Sequence, residues 1–242
     1  MEALHDTTIL KQPVPVVDLD RFYVVLPALN EGDRIAGVIE KLQHFGFKNI
    51  VVVNDGSTDH TSDVIPDSAG VYELKHIVNL GPGASTMTGI RFALLKNAQY
   101  IATIDADHQS DPKDLIDLVK ILEGDKEVDL LIGSRFLQKN NIPLTRRLYN
   151  QVGNIISYLV TGLYVTDSQS GFKVMTRRFA EKLQIDYNGF EFCIDIIKKA
   201  NMFQFKVAEA PVSVVYTKET LAKGQSFREG LMMLGRLFNP FA

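Results

Sequence analysis

An apolar run in the middle of the chain, 100-YIATIDADHQSDP-112, stops abruptly in Asp105-Ala106-Asp107. Two carboxylates two residues apart, where a buried strand reaches its end, suit either a hard divalent cation or a solvated acidic turn. If the strand continues through them, Asp105 and Asp107 project to the same side, about 6.6 Å apart. That is wide for two direct bonds to one ion. Asp107 is therefore expected to ligate Mg²⁺ or Mn²⁺, with Asp105 acting through water or holding a ribose hydroxyl. Gln109 stands where it would orient the metal's ligands, and His108 reads as a supporting or surface group. Magnesium takes one or two carboxylates and completes its shell with substrate phosphates. An Asp pair with no further clustered ligands thus points to a nucleotide diphosphate as the missing partner. Asp111, followed by Pro112, reads instead as the cap of the next helix.

Three further polar clusters follow apolar, β-branched runs: Pro27-Ala28-Leu29-Asn30-Glu31, Asn54-Asp55-Gly56-Ser57-Thr58-Asp59 and Gly133-Ser134-Arg135. Each alone has a plain reading as a capped turn or surface decoration. Together with the Asp pair they make four clusters at strand ends, and in an open α/β sheet ligands bind outside the carboxyl ends of the strands. The segment 79-NLGPGASTMTG-89 adds Gly81 and Gly83, which permit close backbone approach, at a helix start that favours anions. It is neither a Walker A loop nor a Gly-x-Gly-x-x-Gly dinucleotide fingerprint. In isolation it also reads as a tight turn.

The elements that must position these clusters are written in the hydrophobic pattern. Continuous apolar runs predict strands over 22–27, 49–55, 72–78, 100–105 and 128–135. Helical spacing joins Ile35, Val38, Ile39, Leu42 and Phe45, and then Met87, Ile90 and Leu94 within 84–97. A short helix is expected to open at Ser57 or Thr58, and a longer one to run from Asp111-Pro112 through Leu122. Beyond residue 140 helices are expected over 147–161, near 176–184 and over about 189–201; the first carries Leu148, Val152, Ile155, Ile156 and Leu159. A strand pair is expected within KVAEAPVSVVYT, and 225–242 is amphipathic, with Phe227, Leu231, Leu234 and Phe238 on one stripe. Strands alternating with helices argue for an α/β fold with a mostly parallel central sheet flanked by helices.

Composition sets outer limits. The 242 residues, 45% apolar, can build one sizeable core, and a net charge of −3 gives no attraction for nucleic acid. A single cysteine, Cys193, excludes an intramolecular disulfide framework and fits a reducing compartment. The polar, proline-punctuated N-terminus does not look like a signal peptide, and no apolar run reaches the ~18 residues of a membrane span. A cytoplasmic protein is expected, or one at the cytoplasmic face of a membrane through a peripheral or membrane-protein contact.

The order P-x-x-N-E, N-D-G-S-T-D, N-x-G-x-G, D-A-D-x-Q-x-D-P, G-S-R-F and D-x-Q-S-G-F resembles the inverting family 2 glycosyltransferases, whose fold is the nucleotide-sugar-binding GT-A type. Within that family, 145-TRRLYNQVGN-154, 167-DSQSGFKVMTRR-178 and 216-YTKETLAKGQS-226 are similar to the dolichyl- and polyprenyl-phosphate mannosyl- and glucosyltransferases. The resemblance runs from about Phe22 to Ser226 and implies a division of the chain. Residues 1–20 would be an N-terminal extension and 21–216 the GT-A domain, with a nucleotide-binding half over 21–110 and an acceptor half over 111–216. Residues 217–242 would form a basic loop and an amphipathic C-terminal helix.

Carried over by position, the resemblance implies that Pro27, Glu31 and Asp55 embrace base and ribose, and that Asp105, Asp107 and Gln109 hold metal and diphosphate. Gly83 belongs to the nucleotide-sugar loop; Arg135, Arg146 or the adjacent Arg147 would bind acceptor or donor phosphate, and Lys223, with Arg228, would close over phosphates. Leu29 replaces a frequent aromatic, Pro82 a frequent basic residue, and Cys193 a frequent acid, which loosens any inference about the nucleotide, UDP- or GDP-linked. The implied reaction is an inverting displacement, with the metal and Arg135 stabilising the leaving diphosphate. A phosphate acceptor, already anionic, needs positive charge more than a base, and Arg135, Arg146 and Arg147 suit it. Should a glycan or small-molecule hydroxyl be the acceptor, Glu191 is the candidate base with Asp195 behind it. A non-catalytic nucleotide-sugar-binding protein is the remaining alternative.

Overall fold

The computed structural model describes residues 17–106 and 110–214. Its elements in chain order begin with β1 (Phe22–Ala28), α1 (Ile35–His44), β2 (Asn49–Asn54), β3 (Val71–Lys75) and α2 (Pro82–Leu95). Next come β4 (Tyr100–Thr103), α3 (Pro112–Gly124), β5 (Val128–Ser134) and α4 (Leu144–Thr161). The last are β6 (Lys173–Thr176), α5 (Arg177–Ala180), α6 (Phe192–Met202) and β7 (Lys206–Pro211). Among the described residues seven strands form one sheet in the order β3-β2-β1-β4-β6-β5-β7. Every pairing is parallel except those of β6, which runs against both β4 and β5.

Alternation along β1 explains why the sheet is covered twice. Phe22, Val24 and Leu26 enter one core with Ile35, Ile39 and Leu42 of α1 and Leu115, Leu118 and Leu122 of α3. Tyr23 and Val25 enter the other, with Met87 and Ile90 of α2, Phe179 of α5 and Ile196 and Ile197 of α6. A strand apolar on both sides can only lie between two helical layers. Asp111 caps α3 as expected, its side chain accepting the amide of Lys113 with Pro112 in the first turn.

Four expectations are corrected. No helix opens at Ser57 or Thr58; only a 3-10 turn forms, over Ser62–Val64, because the amides and hydroxyls of this segment are bonded to the loop after β1. Where a helix was expected near 176–184, the antiparallel strand β6 comes first and α5 adds a single turn. The expected strand pair after residue 205 is, among the described residues, one strand, β7, followed by an isolated bridge between Val214 and Ser110. Finally, β4 ends at Thr103, so strand alternation does not reach Asp105 and cannot fix its side relative to Asp107.

Candidate functional site

Strand order reverses between β1 and β4: β1 connects to β2 on one side, and β4 connects onward to β5 on the other. A crevice outside the carboxyl ends of such a strand pair is where open α/β sheets bind ligands. Pro27 and Glu31 lie at the end of β1 and just beyond it, Asp55 follows β2, Asp105 follows β4 and Arg135 follows β5. The sheet therefore brings these candidates to one rim.

The loops after β1 and β2 are sewn together by short polar side chains. Asn30, at a left-handed φ of 54°, donates its amide to Ser57 Oγ at 3.0 Å and accepts the Thr58 amide at 2.9 Å. The Glu31 amide donates to Thr61 Oγ1 at 3.0 Å and the Gly32 amide to Asp59 Oδ2 at 3.1 Å. Burial acts to raise the Asp59 carboxyl, but the Thr61 hydroxyl and the amides of Gly32 and Thr61 outweigh it and hold it below the usual range. Glu31 itself accepts from Arg34 at 2.9 Å.

Asp55 is buried and turned toward its own chain. Its carboxylate accepts the amides of Leu80 at 3.0 Å and Gly81 at 2.8 Å. It also lies 2.7 Å from His76 Nδ1, whose Nε2 meets Thr88 Oγ1 at 3.0 Å. Asp55 thus builds the 76–81 loop. The glycines of that loop serve the same end: Gly81 has φ 99°, and a Cβ on Gly81 or Gly83 would collide with the carbonyls of Asn188 and Tyr187. The Gly83 amide donates to Asn188 O at 2.8 Å. Close backbone approach is what these glycines permit, but the partner that approaches is the 187–188 segment.

Arg135 is fixed by a residue the sequence reading left without a role. Asp167, fully buried, accepts Arg135 Nε and Nη2 at 2.7 Å each and the Arg135 amide at 3.0 Å. A planar fork held at two points is set in direction as well as place. The 166–168 segment is anchored in turn from two sides. Glu209 of β7 accepts the amides of Thr166 and Asp167, at 2.8 to 3.2 Å. Asn154 of α4 donates to Thr166 O at 2.6 Å and accepts from the Ser168 amide at 3.0 Å.

The same loop ends against Asp105. Thr103 Oγ1 donates to Gly171 O at 2.6 Å, and a Cβ on Gly171 would lie 2.5 Å from Asp105 Oδ1 and 2.6 Å from Oδ2. Glycine is the residue that leaves room for this carboxylate. Behind it, Lys173 is fully buried and its Nζ donates to Ser170 O. Burial pushes the Cys193 thiol up; Lys173 and Arg135 pull it down and Asp105 raises it, a net rise that keeps it a thiol rather than a nucleophile.

The remaining candidates are spread more widely. Glu191 is buried as the N-cap residue of α6, its carboxylate lying over Gly189. Arg146 and Arg147 lie in the first turn of α4, where Arg147 Nη2 donates to Asn140 O at 3.1 Å. Asp107, His108, Gln109, Lys223, Arg228 and the 225–242 stripe lie outside the described residues. Among the described residues no three His, Cys, Asp or Glu side chains converge on a metal position. Asp105 nevertheless fits a hard cation that shares its shell with phosphate oxygens: it is an exposed carboxylate at the rim, held against Gly171. A cleft lined by Arg21, Tyr100, Lys126, Asp129 and Arg178 sits at the opposite end of β4 and is not part of this rim.

Comparison with known proteins bears on the family and the fold. The model of the family described as Glycosyl transferase family 2 matches residues 23–184. An uncharacterised protein of Methanocaldococcus jannaschii is 39% identical over 228 residues, covering 91% of this chain and 92% of that one. A UDP-N-acetylglucosamine–dolichyl-phosphate N-acetylglucosaminyltransferase of Methanococcus voltae is 29% identical over 236 residues, covering 89% of this chain and 94% of its own. Among solved structures, glucosyl-3-phosphoglycerate synthase of Mycobacterium tuberculosis, in complex with Mn²⁺, UDP and product, superposes with a TM-score of 0.68 at 17% identity. The match covers 90% of this chain and 77% of that one.

Proposed function

The chain belongs to glycosyl transferase family 2, and we propose that it moves a hexose from a nucleotide diphosphate sugar to a polyprenyl phosphate, with inversion at the anomeric carbon. The observation that carries this reading is the Asp167–Arg135 fork, which aims a fixed guanidinium at the rim where Asp105 also stands. Its GT-A fold is that of the Mn²⁺- and UDP-bound synthase, and the dolichyl-phosphate N-acetylglucosaminyltransferase of M. voltae is matched over nearly its whole length.

In this reading the donor occupies the 21–110 half and the acceptor the 111–216 half. Pro27, Glu31 and the loop built by Asp55 and Gly83 enclose the nucleoside. A divalent cation, Mg²⁺ or Mn²⁺, would be held by Asp105 with Asp107 and Gln109, and would supply charge stabilisation to the diphosphate oxygens. Arg135, already oriented, needs no reorganisation to meet a phosphate, which is the condition for effective electrostatic stabilisation. Arg146 and Arg147, with Lys223, add positive charge for an anionic acceptor.

Transfer to a hydroxyl would demand a base. The candidate, Glu191, is buried over Gly189, whereas Arg147 is exposed; this supports a phosphate acceptor over a hydroxyl. A thermal-shift panel of UDP- and GDP-sugars with and without Mn²⁺ tests the donor side. A ligand at a hundredfold excess over its Kd should stabilise the fold by about 2.7 kcal/mol. No shift with any nucleotide sugar in Mn²⁺ would overturn the reading.

A further inference from the structure

The sheet carries a second arginine fork, at the end away from the rim. Asp129, in the first turn of chain of β5 and fully buried, accepts Arg178 Nε at 2.9 Å and Nη2 at 2.8 Å. The Thr176 hydroxyl at 3.0 Å and the Lys206 amide at 3.4 Å complete its shell. The carboxylate is fully engaged, yet the arginine side chain that it orients stays 65% exposed. Asp167 and Arg135 make the same arrangement at the rim: a buried acid that aims a guanidinium outward.

Arg178 faces a cleft of about 360 Å³ that Arg21, Lys126 and Arg177 also line, a volume within the range of small-ligand sites. These cations come from the residue before β1, the turn between α3 and β5, and the start of α5. Their N–H groups outnumber the acceptors that the protein offers them. Arg178 commits Nε and Nη2 to Asp129, and Arg21 commits Nη1 to Glu123 at 3.1 Å. Arg177 commits Nε to Glu181 and Nη1 to the Ala98 carbonyl. A guanidinium has five N–H donors, so each of the three keeps some in hand.

The charges do not balance either. Glu123, Asp129 and Glu181 answer the three arginines. Lys126 has no carboxylate partner among the described residues; its Nζ reaches only the Tyr100 hydroxyl, at 3.3 Å. The Tyr100 ring is stacked on Phe22 at 4.5 Å and has the Arg21 guanidinium 5.3 Å from its centroid, which makes it a firm wall between the cations. A fitting ligand must bring negative charge and accept hydrogen bonds on several sides at once. A tetrahedral phosphate does so, and a planar carboxylate offers fewer directions.

We propose that this cleft binds a small phosphate-bearing anion, a phosphate ester or a polyphosphate, held by Arg178, Lys126 and Arg21. It is separate from the rim. Tyr100 pairs with Thr176 at the cleft end of β4 and β6, and Thr103 with Lys173 at the rim end, about 10 Å further along the strands. The inference therefore does not rest on the glycosyl-transfer reading, and its test needs neither donor nor divalent metal.

Calorimetric titration of the full-length protein with pyrophosphate, in EDTA at low ionic strength, should show binding that added salt weakens. Lys126→Glu, at an exposed position, should weaken it roughly tenfold or more while the melting temperature of the ligand-free protein stays as in wild type. Arg178→Lys keeps a charge beside Asp129 but loses the fork, and should weaken it as well. Arg135→Gln, at the rim, should leave it unchanged. No pyrophosphate binding, or binding that is lost in Arg135→Gln and kept in Lys126→Glu, would overturn the proposal. So would malonate bound as tightly as pyrophosphate, which makes the ligand a carboxylate. Binding confined to phosphatidic acid vesicles and lost in Lys126→Glu would overturn it too, since the phosphate would then be a lipid headgroup.

Discussion

Asp167 holds Arg135 at three points, accepting Nε and Nη2 at 2.7 Å and the main-chain amide at 3.0 Å. The carboxylate is fully buried and the guanidinium reaches the rim, so the pair converts a core charge into a directed surface cation.

Asp167→Asn should therefore harm activity more than folding. Losing one charged partner costs about 1.5–3 kcal/mol, while a misdirected guanidinium should lower kcat/KM by about a hundredfold. Denaturant unfolding and steady-state turnover, measured together, check both. Wild-type turnover in the variant would mean that Arg135 needs no such orientation.

Gly171→Ala tests the space kept for Asp105. A Cβ there would stand 2.5 Å from Oδ1, so the carboxylate must swing aside. The backbone tolerates alanine, since Gly171 is not among the glycines at positive φ. The expected outcome is a higher Mn²⁺ requirement, by roughly tenfold or more, with a melting temperature close to wild type. Unaltered metal dependence in a folded variant would contradict the placement.

Gly83→Ala should act on stability. Its Cβ would strike the Tyr187 carbonyl and crowd Phe192, forcing α2 away from the 187–188 segment. Overpacking of this kind costs about 1–3 kcal/mol, read as a lower denaturant midpoint. An unchanged midpoint would show that the segment yields freely.

Asp195 gives a pH dependence with a definite sign. Burial raises its carboxyl above the ordinary 3.8, against the lowering effects of the Asp186 amide, Lys199 and Lys198, while Asp186 adds to the rise. Among the described residues its Oδ1 accepts no hydrogen bond. Protonated Asp195 favours the fold below the ordinary value, and that contribution is lost as pH rises through the raised one. Asp195→Asn keeps an acceptor for the Asp186 amide and removes the buried charge. Its urea midpoint should gain on wild type as pH climbs from about 4 to about 8; a constant difference would contradict the assignment.

How far the sequence could be read depended on how local each signal was. Strands β1, β2 and β5 declared themselves as β-branched runs, and Asp111-Pro112 as a cap, because each lies within a few residues. Strand β6 did not: KVMT is four residues long, carries a lysine, and is made a strand by pairing with Tyr100–Thr103 and Leu130–Ile132 far away in sequence. The Asp167–Arg135 pair spans 32 residues, and only the single acid in a glycine-bearing loop after α4 hinted at it. Periodicity found α4 but could not orient it, since hydrophobic spacing says which residues share a face and not what that face meets. Likewise the glycines of 79–89 signalled close approach, and the approaching partner was the chain itself.

The most direct test of the central claim is transfer of radiolabel from UDP-N-acetylglucosamine, UDP-glucose or GDP-mannose, in Mn²⁺, to a short polyprenyl phosphate, set against free sugars. Label should enter the organic phase with one of these donors, require the divalent cation, and disappear in Asp107→Ala. Label found only on the sugar hydroxyls, and lost on Glu191→Ala, would contradict the polyprenyl-phosphate reading.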